Sequence, residues 1–130
     1  MDISMKTALE LVAAAKTRIR EVALDDAELA VRNADVVLDV REVDEYAAGH
    51  LPGALAISRG MMEFTMSSKP EFAAPDLNIV LYCKTGGRAA LAASALLDMG
   101  YRNVQSIAGG YDGWRDAGKA VVLPTLPAFD

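Results

Sequence analysis

Asn78-Ile79-Val80-Leu81-Tyr82-Cys83-Lys84-Thr85-Gly86-Gly87-Arg88-Ala89-Ala90 is the stretch that decides the fold. Its first five residues form an apolar, β-branched run without polar alternation, the pattern of a strand buried on both faces of a parallel sheet. A glycine turn follows at once, and then an alanine-rich segment, 87–99, with high helix propensity and Gly100 placed for a left-handed cap. Strand, turn and helix in this order make the repeating unit of an α/β sheet.

Outward from this unit, Val36-Val37-Leu38-Asp39-Val40 predicts a second buried strand, followed by a short helix ending near Gly49. Leu55-Ala56-Ile57, reached through a Pro52-Gly53 turn, and Val104-Gln105-Ser106-Ile107 predict two more strands. Between the middle strands, 60–77 reads as a short helix and a loop, with a Met/Phe-rich patch before Pro70 and Pro75. Gly109-Gly110 marks a turn, Tyr111 to Ala117 a last short helix around Trp114, and the segment with Pro124 and Pro127 an extended tail. Toward the N-terminus, Asp25 and Glu28 have capping-box spacing, with Leu24 and Leu29 as a hydrophobic staple, so a helix is expected from near Asp25. Residues 4–18 read as an amphipathic helix with Met5, Leu9, Val12 and Ala13 on one face and Thr7 and Glu10 as its capping box. The expectation is an open, mostly parallel sheet with helices on both faces. Residues 1–18 form an N-terminal helical extension, and 19–130 a single domain ending in the extended tail.

Composition narrows the function. At 130 residues, with 52% hydrophobic and 24% charged, the chain has the makings of one globular core. Its net charge of −5 has the wrong sign for a protein that binds by neutralising phosphates, which argues against a nucleic-acid partner. One cysteine, Cys83, and one histidine, His50, exclude an internal disulfide and the common zinc sets. No apolar run has the length of a membrane span, and Lys6, Glu10 and Lys16 interrupt the region where a secretory leader would be apolar, so a cytoplasmic location is expected.

The chemistry is expected after Tyr82, because ligand sites in open α/β sheets lie beyond the carboxyl ends of the strands. There Cys83-Lys84-Thr85-Gly86-Gly87-Arg88 sets a cysteine at the base of an anion cradle. The glycines let successive backbone N–H groups turn toward one point, and the following helix adds the partial positive charge of its N-terminus. A thiolate, the nucleophilic form of cysteine, suits that field without a histidine base. Lys84 and Arg88 add positive charge. Arg88 is expected to aim its fork at the loop carbonyls or a bound anion, and Lys84 to be the freer charge at the rim.

The sequence resembles the rhodanese family of sulfurtransferases from about Ile19 to Val121. Leu38-Asp39-Val40-Arg41-Glu42 with Glu45-Tyr46 resembles its first signature, and Gly49-His50-Leu51-Pro52-Gly53-Ala54 its second. The Cys83 loop is similar to the active-site pattern Cys-x-x-Gly-x-Arg, with Gly86 and Arg88 in the matching places, and Gly109-Gly110-Tyr111-Asp112-Gly113-Trp114 resembles the closing motif. The resemblance implies a three-layer sandwich around a five-stranded, mostly parallel sheet. It also implies a persulfide on Cys83 passed from thiosulfate or a related donor to a thiol or cyanide, with no metal or organic cofactor. Lys84, Thr85, Gly86, Gly87 and Arg88 would bind the donor, with Asp39 and Arg41 in support. A loop with two cations should favour doubly charged thiosulfate over singly charged mercaptopyruvate. Two other readings use the same loop: a non-enzymatic sulfur carrier or protein-binding module, and a cysteine phosphatase or arsenate reductase. Phosphatase cradles place five residues between Cys and Arg, whereas only Lys84, Thr85, Gly86 and Gly87 lie between them here.

Asp39 and Arg41 read mainly as a brace, His50 as a turn-fixing group and Trp114 as core. Met61, Met62, Phe64 and Met66 fit either an adaptable surface or cover for a sheet edge. The N-terminal helix fits either extra core cover or a self-association surface.

Overall fold

A computed structural model describes residues 5–124. Five strands form one sheet, all parallel, in the order β1 (Arg20–Val22), β5 (Asn103–Ile107), β4 (Asn78–Tyr82), β2 (Val36–Asp39), β3 (Leu55–Ala56). Central β4 alternates perfectly between two apolar layers. Ile79, Leu81 and Cys83 point to one side, with Leu38, Val104, Met62, Met66 and the alanines of α5 (Gly87–Met99), whereas Val80 and Tyr82 join Ala27, Ile107, Tyr111 and Trp114 on the other. A strand buried on both faces has no polar row to show, which is why its sequence is continuous rather than alternating.

Helices cover both faces, as expected. Helix α5 buries Ala89, Ala90, Ala92, Ala93 and Leu96, and Gly100 ends it in the left-handed conformation. Helix α4 (Met62–Ser68), preceded by a 3-10 turn at Arg59–Met61 and followed by another at Pro70–Phe72, splits the methionine patch. Met62 and Met66 enter the core, while Met61 and Phe64 stay outside. The remaining helices are α1 (Ala8–Lys16), α2 (Leu24–Asn33), α3 (Val43–Ala47) and α6 (Gly110–Asp116).

Three expectations are corrected. The second helix begins at Leu24 with Ala23 as its cap and no side-chain cap bond, so Asp25 and Glu28 form no box. The staple is absent too, since Leu24 lies inside the helix and Leu29 is exposed. The reason is β1: this edge strand runs through Val22 and leaves a single residue for the turn. The Arg-Glu-Val of β1 is itself too short and polar to announce a strand. In α1 the Thr7–Glu10 capping box is present, yet Met5, Leu9 and Ala13 are exposed and Ala15 is the buried residue. The helix lies against α5, and of the expected apolar face Val12 alone is half-buried, near Gly87. Pro124 lies in irregular chain beyond an isolated bridge between His50 and Val122, and Pro127 lies outside the described residues.

Candidate active site

At the carboxyl end of β4 the chain enters the loop and passes straight into α5, so Cys83 lies beneath the helix N-terminus. The backbone N–H of Gly86 donates to Cys83 Sγ at 3.1 Å, and the N–H of Ala89 at 3.3 Å. Gly86 is the cap residue of α5 and Ala89 stands at its third position, so Sγ occupies the place of a capping side-chain oxygen. Gly86 has φ +144°, which a side chain would disfavour. Ala89 was not singled out from sequence; its signal was there in the helix start, whose third N–H needs an acceptor.

The back of the loop is held by α6. The N–H of Tyr111 donates to the Cys83 carbonyl at 2.8 Å and that of Asp112 to the Lys84 carbonyl at 3.0 Å. These are the orphan donors of a helix N-terminus, and they hold two loop carbonyls while the Gly86 and Ala89 donors hold Sγ. The approach demands Gly110: a Cβ there would lie 2.6 Å from both carbonyl oxygens, and its φ is +59°. This is the physical content of the Gly109-Gly110 motif. Cys83 itself is 1% exposed.

Both loop cations already have partners. Arg88 does not aim at loop carbonyls; it forms a two-pronged pair with Glu45 of α3, at 2.7 and 3.1 Å. Glu45 also accepts from the N–H of Glu42 at 3.0 Å. The Arg88 hydrogen bonds above all hold the Glu45 carboxyl down at about 2, and Glu45 in turn raises Arg88. Lys84, 59% exposed, is bonded to Asp112 at 2.6 Å. Neither is the uncompensated charge expected from the loop alone, because their carboxylates come from α3 and α6, distant in sequence. Thr85 is exposed, and Gly87 is half-buried with Val12 of α1 nearby.

Asp39 and Arg41 sit at the carboxyl end of β2, where Asp39 is in register with Tyr82. Asp39 accepts from the Arg41 backbone N–H and from its Nε and Nη2, at 2.7 to 3.2 Å, and Arg41 Nη2 donates to the Gly49 carbonyl at 2.7 Å. Burial works to lower the Arg41 guanidinium, but the hydrogen bonds and charge of Asp39 outweigh it and leave it raised. The guanidinium lies 4.3 Å from the Tyr111 ring centre and 5.6 Å from that of Tyr82. Burial pushes the Tyr82 hydroxyl well above the usual phenol range, and it accepts from the N–H of Leu51. The pair thus lies beside Tyr82, which leads into the loop, and against Tyr111 of α6, and makes no hydrogen bond to the loop itself. His50 stacks on Tyr46 with ring centres 3.8 Å apart, and Trp114, almost fully buried, donates to the Ala120 carbonyl.

A strand-to-helix loop that puts two N–H groups on one cysteine, with a second helix holding its carbonyls, meets a family pattern over residues 23–117, that of the rhodanese-like domain. The chain belongs to that family. A sulfurtransferase of Allochromatium vinosum is 31% identical over 105 residues, covering 78% of this chain and 94% of the relative. The thiosulfate sulfurtransferase GlpE of Pseudoalteromonas translucida is 37% identical over 82 residues, covering 63% and 74%. Among solved structures, a Rhodopseudomonas palustris protein of unknown function, described as a possible tyrosine phosphatase, superposes with a TM-score of 0.79 at 31% identity, covering 94% of this chain and 99% of its own. The human single-domain sulfurtransferase TSTD1 gives 0.67 at 27% identity, covering 74% and 95%. Among the described residues of this rhodanese-like protein, no group of three or more His, Cys, Asp and Glu could hold a metal ion, and no helix is long and apolar enough to cross a membrane.

Proposed function

We propose that this rhodanese-like protein is a thiosulfate sulfurtransferase working through a persulfide on Cys83. The observation that carries the reading is the pair of N–H groups, from Gly86 and Ala89, on Sγ. Such donors stabilise negative charge on sulfur without a proton carrier. In the first half-reaction the Cys83 thiolate attacks the outer sulfur of thiosulfate. The sulfur–sulfur bond of the donor breaks, sulfite leaves with the electron pair, and the enzyme keeps an anionic persulfide. In the second, cyanide or a thiolate attacks the outer persulfide sulfur, takes it as thiocyanate or a new persulfide, and restores the Cys83 thiolate. One charge is on the enzyme's sulfur at each stage, moved outward by one bond. The chain has no second cysteine, so the acceptor is external. Lys84, Thr85, Gly86, Gly87 and Arg88 surround the donor, with Asp39 and Arg41 in support.

The names of the relatives favour this donor, and the four-residue spacing from Cys83 to Arg88 disfavours phosphate esters. The test is intact mass after mixing with thiosulfate. Wild type should gain one sulfur atom and Cys83→Ser none, and steady-state turnover with thiosulfate and cyanide should be ping-pong. Loading from a partner protein with no turnover of small donors would instead mark a sulfur carrier. Faster Cys83-dependent release of phosphate from an aryl phosphate would overturn the sulfurtransferase reading.

A further inference from the structure

The N-terminal helix comes close to the Cys83 loop at two places one helical turn apart. Val12 Cγ2 lies 3.7 Å from where a Cβ on Gly87 would stand, and Lys16 Nζ lies 3.9 Å from the equivalent point on Gly86. Gly86 is the residue whose N–H holds Cys83 Sγ, so the Lys16 ammonium stands one residue from the sulfur cradle. The two cations of the loop itself are compensated by carboxylates at 2.6 and 2.7 Å, Lys84 by Asp112 and Arg88 by Glu45. Among the described residues, Lys16 has only Glu21 of β1, at 3.8 Å. It lies outside the family match, which begins at residue 23.

We propose that Lys16, delivered by α1, is a specificity-determining cation at the mouth of the Cys83 cradle, favouring doubly charged sulfur donors over singly charged ones. The inference rests on the sulfurtransferase reading and deepens it. An ammonium acts on a dianion with twice the force it exerts on a monoanion, and at an aqueous rim that difference is salt-dependent. Steering of this kind changes the capture of the donor rather than the bond-breaking step. Glu21 tempers the field, so its removal should act in the opposite direction.

Persulfide loading is measured by quenched mass spectrometry, with thiosulfate and with mercaptopyruvate, at low and at high ionic strength, in wild type, Lys16→Gln, Lys16→Arg and Glu21→Gln. Lys16→Gln should lower the second-order loading rate for thiosulfate by about 3- to 10-fold at low salt. The deficit should shrink at high salt and be smaller for mercaptopyruvate. Lys16→Arg should restore the rate, Glu21→Gln should raise it, and discharge of preloaded enzyme by a thiol with no other charge, which attacks as a monoanionic thiolate, should change no more than loading from mercaptopyruvate does. An unchanged rate and salt slope in Lys16→Gln overturns the role of Lys16 while leaving Cys83 chemistry intact. An equal loss for both donors that persists at high salt overturns it too, because that is the mark of a displaced loop. Wild type that takes no sulfur from thiosulfate overturns the sulfurtransferase reading, and this inference with it.

Discussion

Lys84 shows how a carboxylate from elsewhere in the chain changes what a charged residue can contribute. Read from the loop alone, it is a second free cation whose loss should cost much of the rate with thiosulfate. In the fold it is exposed and bonded to Asp112 at 2.6 Å, so its field on a donor is already partly compensated, and after its replacement Asp112 still has Arg115 at 3.6 Å. Exposed pairs are worth about 0–1 kcal/mol, and about 1.4 kcal/mol is tenfold in rate. Lys84→Ala should therefore lower kcat/KM for thiosulfate by no more than about fivefold, as steady-state assays at fixed ionic strength will read. A larger loss would mean that Asp112 releases Lys84 when the donor arrives.

At the scale of elements, the junction between α6 and the loop makes the sharpest demand. Gly110→Ala would drive a Cβ to 2.6 Å from the carbonyl oxygens of Cys83 and Lys84, at a φ that a side chain rarely adopts. Neither contact can yield through a flexible side chain, since both partners are backbone. The strain is of order 1–3 kcal/mol, and relief by moving the loop would turn its N–H groups off Sγ. Denaturant unfolding should show a loss of about that size, and persulfide loading should fall more than tenfold. The need for glycine here was visible in the Gly109-Gly110 pair, but its cause was not, because the crossing joins segments nearly thirty residues apart. The elements that were legible carried local signals: the continuous apolar run of β4, the alanines of α5, the capping box of α1. Those that were missed lacked one. Strand β1 is three residues long and takes its identity from pairing with β5, and Ala89 acts through its backbone, which residue type does not report. For the same reason Cys83, Gly86 and Arg88 could be read as one loop from sequence, while the carboxylates that Glu45 and Asp112 bring to that loop could not.

For the molecule as a whole, the Glu45–Arg88 pair ties α3, which follows β2, to α5, which follows β4. The Glu45 carboxyl is held at about 2, below its ordinary value of 4.5, chiefly by the hydrogen bonds of Arg88. A carboxylate depressed in the folded state contributes stability that is complete above its unfolded value and lost as pH falls through the folded one. The contribution should thus be constant above about pH 5 and decline between about 4.5 and 2. Urea midpoints measured through that interval should fall more steeply for wild type than for Glu45→Gln, with the two curves parallel above pH 5. Equal slopes would mean that the pair contributes nothing to folding.

The crossing of α6 behind the loop also has a consequence in time. A chain made from its N-terminus emerges with Cys83 well ahead of Tyr111 and Asp112, the residues whose N–H groups hold the loop carbonyls. Until they arrive, those carbonyls lack the donors that fix them, and the loop stands on an unfinished sheet. Helix α1 is already made by then, but the α5 surface it rests on is not yet fixed in place. On the proposed function, reactivity should therefore switch on only when the late segment docks, and an incomplete chain should carry the cysteine without a loop fixed to hold sulfur on it.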